Sequence, residues 1–296
     1  MARLLCIGDN TVDLYLDRGM QFPGGNAVNV AARARRAGAA ASYVGCLGRD
    51  PLGDLVRDGL AAEGVDLSHC RRMDEPNPWC RVRHEGSDRV FAGSLRGHRG
   101  QYGALTGADG AFLAAHDLVH TTYASDLDGE IGFLRRHARL LSYDYSEYLR
   151  RPGHEATLGA VDVAFVSVPG LDEEGALALM RRFAAAGPRL VVATRGALGS
   201  LALEGGSLHR QGIVPGGAVV DTLGAGDAFT AGFLVRWIDG GDVGAALLAG
   251  AEAAALAVGD MGGFGHGRPI VPGQPGTEPV GTDPAGITTP ATAAGP

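Results

Sequence analysis

The chain has 296 residues, 45% of them hydrophobic and 20% charged, and its formal net charge is −7. That length supports one large domain with a substantial core, the acidic balance speaks against a nucleic-acid partner, and no apolar run reaches the roughly 18 residues of a membrane span. All 26 basic residues are arginine, so mechanisms that need a lysine amine, the Walker P-loop and Schiff-base chemistry among them, are excluded.

The opening residues Met1 to Gly8 break at Asp9. That run is too short for a signal-peptide core and reads as a first strand, Arg3 to Gly8. Residues 11–16 alternate Val12, Leu14 and Leu16 with Thr11, Asp13 and Tyr15, which predicts a strand with one exposed face. Gly24-Gly25-Asn26 opens a helix to about Arg36, closed by Gly38, and Ala41 to Cys46 forms the next strand. Asp50-Pro51 is an N-cap and first-turn pair for a helix that runs to about Glu63 and ends at Gly64. Residues 78–102 read as a β-hairpin away from the main sheet.

Strands then fall near Leu118–Thr121, Leu140–Tyr143, Val161–Ser167, Leu190–Thr194 and Ser200–Leu203, with helices between most of them, including about Glu173–Ala186. This alternation predicts a mainly parallel sheet covered on both faces. A long helix follows Gly224, with Phe229, Phe233 and Trp237 at four-residue spacing, and an alanine-rich helix covers about Gly244–Val258. From about Arg268 the composition shifts to Pro, Gly, Thr and Ala without periodicity, so residues 269–296 are expected to be a disordered tail, dispensable for activity, behind a folded domain of residues 1–268. The four cysteines, Cys6, Cys46, Cys70 and Cys80, form no C-x-x-C pair. A zinc knuckle is not expected; Cys6 and Cys46 read as buried reduced thiols, and a cytoplasmic location follows.

The strongest chemical signal is Asp221-Thr222-Leu223-Gly224-Ala225-Gly226-Asp227, placed just before the long helix. Small residues let backbone N–H groups converge on one point, and the helix N-terminus adds partial positive charge, so Gly224, Ala225 and Gly226 can form an anion hole without lysine. An aspartate in the first helical turn, Asp227, can accept a proton from an attacking hydroxyl. The same residues could also be a plain glycine-rich turn with a first-turn carboxylate.

A second cluster surrounds the exit from the first strand. Gly24 and Gly25 let a ligand approach the backbone, Asn29 sits within the first turns of the helix, and Asp9 and Asp13 flank the strand end where an open α/β sheet binds its ligand. Carboxylates and amides there suit a neutral polyol, although helix capping and solvation account for them equally well.

Together these segments resemble the signatures of the ribokinase/PfkB family of carbohydrate kinases, over about residues 3–268. The resemblance implies a three-layer α/β sandwich with a mainly parallel central sheet and a small β-sheet lid made from residues 11–16 and 78–102. It implies that Asp227 is the base and Gly224, Ala225 and Gly226 the anion hole. Asp9, Asp13, Gly24, Gly25 and Asn29 would bind the sugar, with Asp13 clasping its hydroxyls, while Thr194, Gly196, Gly199 and Thr222 would bind ATP. Gly48 to Gly53 resembles a further glycine turn of the family and reads as architecture.

Two departures stand out. Glu252 occupies the region where the family often has asparagine near the adenine. The common Asn-x-x-Glu segment associated with magnesium reads Ser167-Val168-Pro169-Gly170-Leu171-Asp172-Glu173-Glu174. Magnesium is still expected, since it neutralises charge in phosphoryl transfer, with protein ligands unknown and a monovalent cation as an additional candidate. The lid implies gating of the site and a homodimer formed through lid pairing.

Within the family the nearest likeness is to kinases of fructoselysine. It is carried by Ile7 to Tyr15, Gly24 to Val30, Asp88-Arg89-Val90-Phe91 and Tyr143-Asp144-Tyr145-Ser146. The likeness implies phosphorylation of O6 of a fructosamine, whose cationic amine suits acidic groups such as Asp9 or Asp144. Another ketose, ribose or a nucleoside remains open as substrate, as does a non-catalytic sugar-binding relative.

Overall fold

A computed structural model describes residues 1–85, 88–95, 105–149 and 154–277. The first half contains β1 (Arg3–Ile7), β2 (Thr11–Tyr15), β3 (Met20–Gly24), α1 (Asn26–Arg36), β4 (Ala40–Val44), β5 (Cys46–Gly48), α2 (Pro51–Ala62), β6 (Arg71–Met73), β7 (Trp79–Glu85), β8 (Asp88–Leu95), α3 (Gly107–Ala114), β9 (Leu118–Thr122), α4 (Ile131–His137) and β10 (Leu141–Asp144). There follow α5 (His154–Leu158), β11 (Val163–Ser167), α6 (Glu173–Ala185), β12 (Leu190–Thr194), β13 (Ser200–Glu204), β14 (Ser207–Gln211), α7 (Ala225–Gly240), α8 (Val243–Ala257) and β15 (Arg268–Pro269).

Among the described residues the main sheet has eight strands in the order β14-β13-β12-β11-β10-β9-β1-β4. From β12 to β4 all neighbours run parallel, and β13 and β14 add an antiparallel edge hairpin. That hairpin turns on Gly205 and Gly206, both at positive φ (54° and 87°), as a two-residue turn that follows strand twist requires.

Alternation along each strand feeds two cores. Leu4 and Cys6 of β1, Val163 and Phe165 of β11, and Leu190 and Val192 of β12 pack with α1, α2, α7 and α8. The intervening Leu5, Ile7, Ala164, Val166, Val191 and Ala193 pack with α3, α4, α5 and α6. Both faces being covered is why these strands read as near-continuous apolar runs.

A second, five-stranded sheet runs in the order β15-β3-β2-β7-β8 and forms the lid. β7 and β8 are the expected hairpin, while residues 96–102 and the side chains of Asp88 to Phe91 lie outside the described residues. The expectation of an exposed face on residues 11–16 is corrected here: Val12 to Tyr15 are all buried, and only Leu16, beyond the strand end, is open to solvent. β2 is flanked by β3 and β7. Val12 and Leu14 join the main core, while Tyr15 packs with Phe22, Val82 and Leu223 beside the Asp221 segment. The polar side of the alternation is turned inward, with Asp13 against Gly24 and Tyr15 donating to Asp221, and not to water.

The domain boundary also moves. Arg268–Pro269 pairs with β3, Ile270 N–H donates to Gly19 (2.9 Å), and the Gln274 amide donates to Gln21 (2.8 Å). The buried Arg81 donates its Nε to the Gly276 carbonyl at 2.8 Å, and a Cβ on Gly276 would come within 2.5 Å of Leu14 and 2.8 Å of Trp79. Residues 268–277 therefore cover the lid, although their sequence has no periodicity. Residues 278–296 lie outside the described residues. Truncation after Pro269 is expected to remove the buried acceptor and uncover Leu14 and Trp79, lowering Tm by at least about 3 °C in a thermal melt. An unchanged Tm would show that the segment adds nothing to the fold.

Candidate active site

The parallel strands β1, β9, β10, β11 and β12 all end at one edge of the sheet, where an α/β fold collects its ligand groups. The N-termini of α1 and α7 meet that edge.

Gly224 precedes α7 in the left-handed conformation (φ 77°), and a Cβ there would lie 2.8 Å from both Cα and O of Gly263. Conformation and close approach both demand glycine. A Cβ on Gly226 would meet nothing within 4 Å, so the first turn of α7 is open to an approaching anion. Asp227 is the third residue of α7, and the Asn29 side-chain amide donates to its Oδ2 at 2.6 Å. The structure thus brings the Asn29 amide onto the Asp227 carboxylate beside the Gly224–Gly226 turn.

Sequence reasoning missed what holds this corner in place. Buried Asp221 accepts hydrogen bonds from Tyr15 Oη on the lid, from Leu223 N–H (2.9 Å) and from Gly262 N–H (3.0 Å). Arg33, only 6% exposed, lies one turn beyond Asn29 on α1. It donates twice to the Gly263 carbonyl (3.0 and 2.8 Å) and once to Asp260 (3.0 Å). Burial and then the charge of Arg36 depress its pKa, while Asp260 and Asp227 favour its charged form. A resident cation thus backs the Gly263–Gly224 contact in a chain without lysine. No local signal marked Gly263, because the arginine that binds its carbonyl, Arg33, is 230 residues away in sequence.

Asp9 holds the start of α1. Its Oδ2 accepts from Asn26 N–H (2.8 Å) and its Oδ1 from Ala27 N–H (3.2 Å), with the hydroxyls of Thr122 and Ser125 at 3.4 Å. α1 begins after Gly25, which has no side chain to cap it, so the carboxylate reaches across from the end of β1. Gly25 sits at φ 105°, and a Cβ there would lie 2.7 Å from Asn10 Cα. Asp9 is thus a cap of α1. Burial raises its pKa, opposed by the hydrogen bonds from Ala27 and Asn26.

Asp13 is 4% exposed and lies against Gly24, where a Cβ would come within 2.2 Å of its Oδ2. Asp144, at the end of β10, accepts from Asn26 Nδ2 (2.6 Å) and Ser146 N–H (2.7 Å). Burial, with a further contribution from the charge of Asp9, pushes its carboxyl up to about 6. A carboxyl raised above its unfolded value contributes stability that is complete below the unfolded pKa and is lost as pH rises through the folded one. Asp144→Asn mimics the protonated form. It is expected to stabilise the fold by about 1–3 kcal/mol at pH 7.5 and by almost nothing near pH 4. Calorimetry at the two pH values checks this; equal shifts at both would exclude the linkage.

Thr194, expected to bind ATP, ends β12. Gly196 (φ 57°) and Gly199 (φ 80°) bracket a tight turn, and a Cβ on Gly199 would strike the Gln211 carbonyl at 2.3 Å. Gly199 is therefore required by the packing against β14, whereas Gly196 has open space above it, with only Pro169 at 3.7 Å. Thr222 and Glu252 are exposed.

The Ser167–Glu174 segment builds no metal cradle. Asp172 caps α6 through Gly175 N–H (2.8 Å), and Glu173 pairs with Arg210 (2.7 Å). Among the described residues no group of three His, Cys, Asp or Glu side chains could hold a metal ion. Cys6 and Cys46 are buried thiols outside any disulfide; burial pushes Cys6 up, and the charges of Asp9 and Asp227 act the same way. No helix among the described residues is long and apolar enough to cross a membrane.

The model of the pfkB family carbohydrate kinases matches residues 1–121 and 163–265. The chain is 34% identical over 258 residues to the fructoselysine 6-kinase of Escherichia coli, spanning 87% of this chain and 98% of that protein. It is 35% identical over 277 residues to the fructosamine kinase FrlD of Bacillus subtilis, spanning 90% and 94%. Among solved structures, Arabidopsis thaliana ribokinase complexed with ribose and ATP superposes with a TM-score of 0.78 at 22% identity, covering 88% of this chain and 94% of that one.

Proposed function

The chain belongs to the pfkB family of carbohydrate kinases and is an ATP-dependent sugar kinase, and from that premise we propose that it phosphorylates O6 of fructoselysine or a related fructosamine with Asp227 as general base. The observation that carries the chemistry is the Asn29–Asp227 contact at 2.6 Å in the first turn of α7, beside the open backbone of Gly224 to Gly226. The substrate class rests on the two relatives named above, which act on fructoselysine and fructosamine and match nearly end to end.

In this reading Asp13, Gly24 and Gly25 hold the sugar under the lid, while Thr194, Gly196, Gly199 and Thr222 hold ATP. Asn29 fixes the Asp227 carboxylate so that one oxygen receives the O6 proton as O6 attacks the γ-phosphorus and ADP leaves. The N–H groups of the Gly224–Gly226 turn and the partial charge of α7 stabilise the negative charge on the phosphoryl oxygens. The described residues do not fit a dedicated magnesium site, so no step is assigned to a protein-held metal. Pairing of lids in a homodimer belongs to the same proposal and is tested by sedimentation.

The test of function is ATP consumption with magnesium against fructosamines, fructose, ribose and nucleosides. A preference for fructoselysine supports the proposal. Preference for another member keeps the kinase and moves the substrate. Sugar binding without any turnover would instead mark a non-catalytic relative.

A further inference from the structure

Asn26 and Asn29 lie on one face of α1, one turn apart, which is about 4.5 Å along the axis. Asn29 donates to Asp227 and Asn26 donates to Asp144. The helix therefore spaces two carboxylates, one at each end of the space above its first turn. A ketose that places O6 at Asp227 directs C1, at the other end of its six-carbon chain, away from the base and towards Asp144.

Three features of that far end call for a cation. Among the described residues no ion pair neutralises Asp9 or Asp144, although Asp144 is only 9% exposed. Buried carboxylates without a counter-charge are costly. The Asn26 side-chain oxygen is buried and has no hydrogen-bond partner, so an N–H donor is wanted there. Tyr123, in the turn after β9, and Tyr148, in the turn after β10, stack with centroids 4.4 Å apart and planes 24° from parallel. Tyr148 is 52% exposed, so the stack presents an aromatic surface to solvent. Tyr123 directly follows Thr122, whose hydroxyl donates to Asp9 Oδ1 (3.4 Å), and Tyr148 follows the turn in which Ser146 N–H donates to Asp144 Oδ1 (2.7 Å), so the stack is tied to the chain next to both carboxylates.

We propose that Asp144 and Asn26, with the Tyr123–Tyr148 stack, form a subsite for the ammonium group of an amine-bearing sugar. The ammonium donates to the Asp144 carboxylate and the Asn26 oxygen, and the tyrosine rings cover it as cation–π partners. Asp9 supports the subsite by fixing the N-terminus of α1 and adding negative charge. The proposal rests on the fructosamine reading and names the residues that separate a fructosamine from free fructose.

The test is steady-state kinetics of the full chain at saturating ATP with fructoselysine and fructose, read as the ratio of the two kcat/KM values. Tyr148→Leu is expected to lower that ratio about threefold or more. Asp144→Asn is expected to lower it about tenfold or more. A folding defect reduces both rates together and leaves the ratio alone. A wild-type preference for fructoselysine that persists unchanged in both variants overturns the subsite while sparing the function. Wild-type enzyme that uses fructose but not fructoselysine overturns both.

Discussion

Asp227→Asn is expected to lower kcat by at least about 10²-fold while the KM for ATP stays within about twofold. The change is nearly isosteric. It keeps a side chain in reach of Asn29, leaves the Gly224 turn against Gly263, and removes only the capacity to take a proton. Backbone N–H groups and the helix dipole remain, so the nucleotide should still bind. The loss should therefore fall on turnover in a rapid-quench or coupled assay, with calorimetry showing ATP affinity intact. Unchanged turnover would take the base assignment away from Asp227. Loss of ATP affinity in step with turnover would mean that the carboxylate serves the nucleotide site.

Asp13→Ala is expected to raise the KM for the sugar by about 10²-fold, since hydrogen bonds to a charged group are each worth about 1.5–3 kcal/mol. Asp13 sits on β2, flanked by β3 and β7, with the bare Cα of Gly24 against its carboxylate. The lid sheet carries it, so its effect should be confined to the sugar. The KM for ATP should change by less than about threefold, because the loop proposed to hold ATP follows β12 in the other sheet. Gly24→Ala supplies an independent check: its Cβ would displace the same carboxylate and should reproduce the defect without removing the charge. Equal losses for sugar and ATP in both variants would indicate a disturbed fold.

The features legible from residue order share a length scale. The turn of Gly224 to Gly226, the cap of Asp50 on Gly53 N–H (2.8 Å) and the two-faced apolar strands are set by a few contiguous residues whose φ preferences and side-chain period act locally. The helix after Gly224 and the parallel order of the sheet followed from those local rules. β3 escaped notice because Met20 to Gly24 contains Pro23 and no clear alternation. Pro23 is tolerated because β15 pairs only with Met20 and Gln21, leaving the strand an edge at that point.

Packing settled the rest. Asn29 meets Asp227 across 198 residues of chain, Asn26 meets Asp144 across 118, and Arg33 meets Gly263 across 230. Asp9 became the cap of α1 because Gly25 leaves the helix N-terminus without a side-chain acceptor of its own, and residues 268–277 became lid cover because Leu14 and Trp79 needed a neighbour. Local order can announce that a carboxylate or a glycine is available at a strand end. Which orphan N–H it satisfies, and which charge it faces, depends on how distant elements are brought within 3 Å of one another, and that is a property of the packed sheet and its helices rather than of any stretch of sequence.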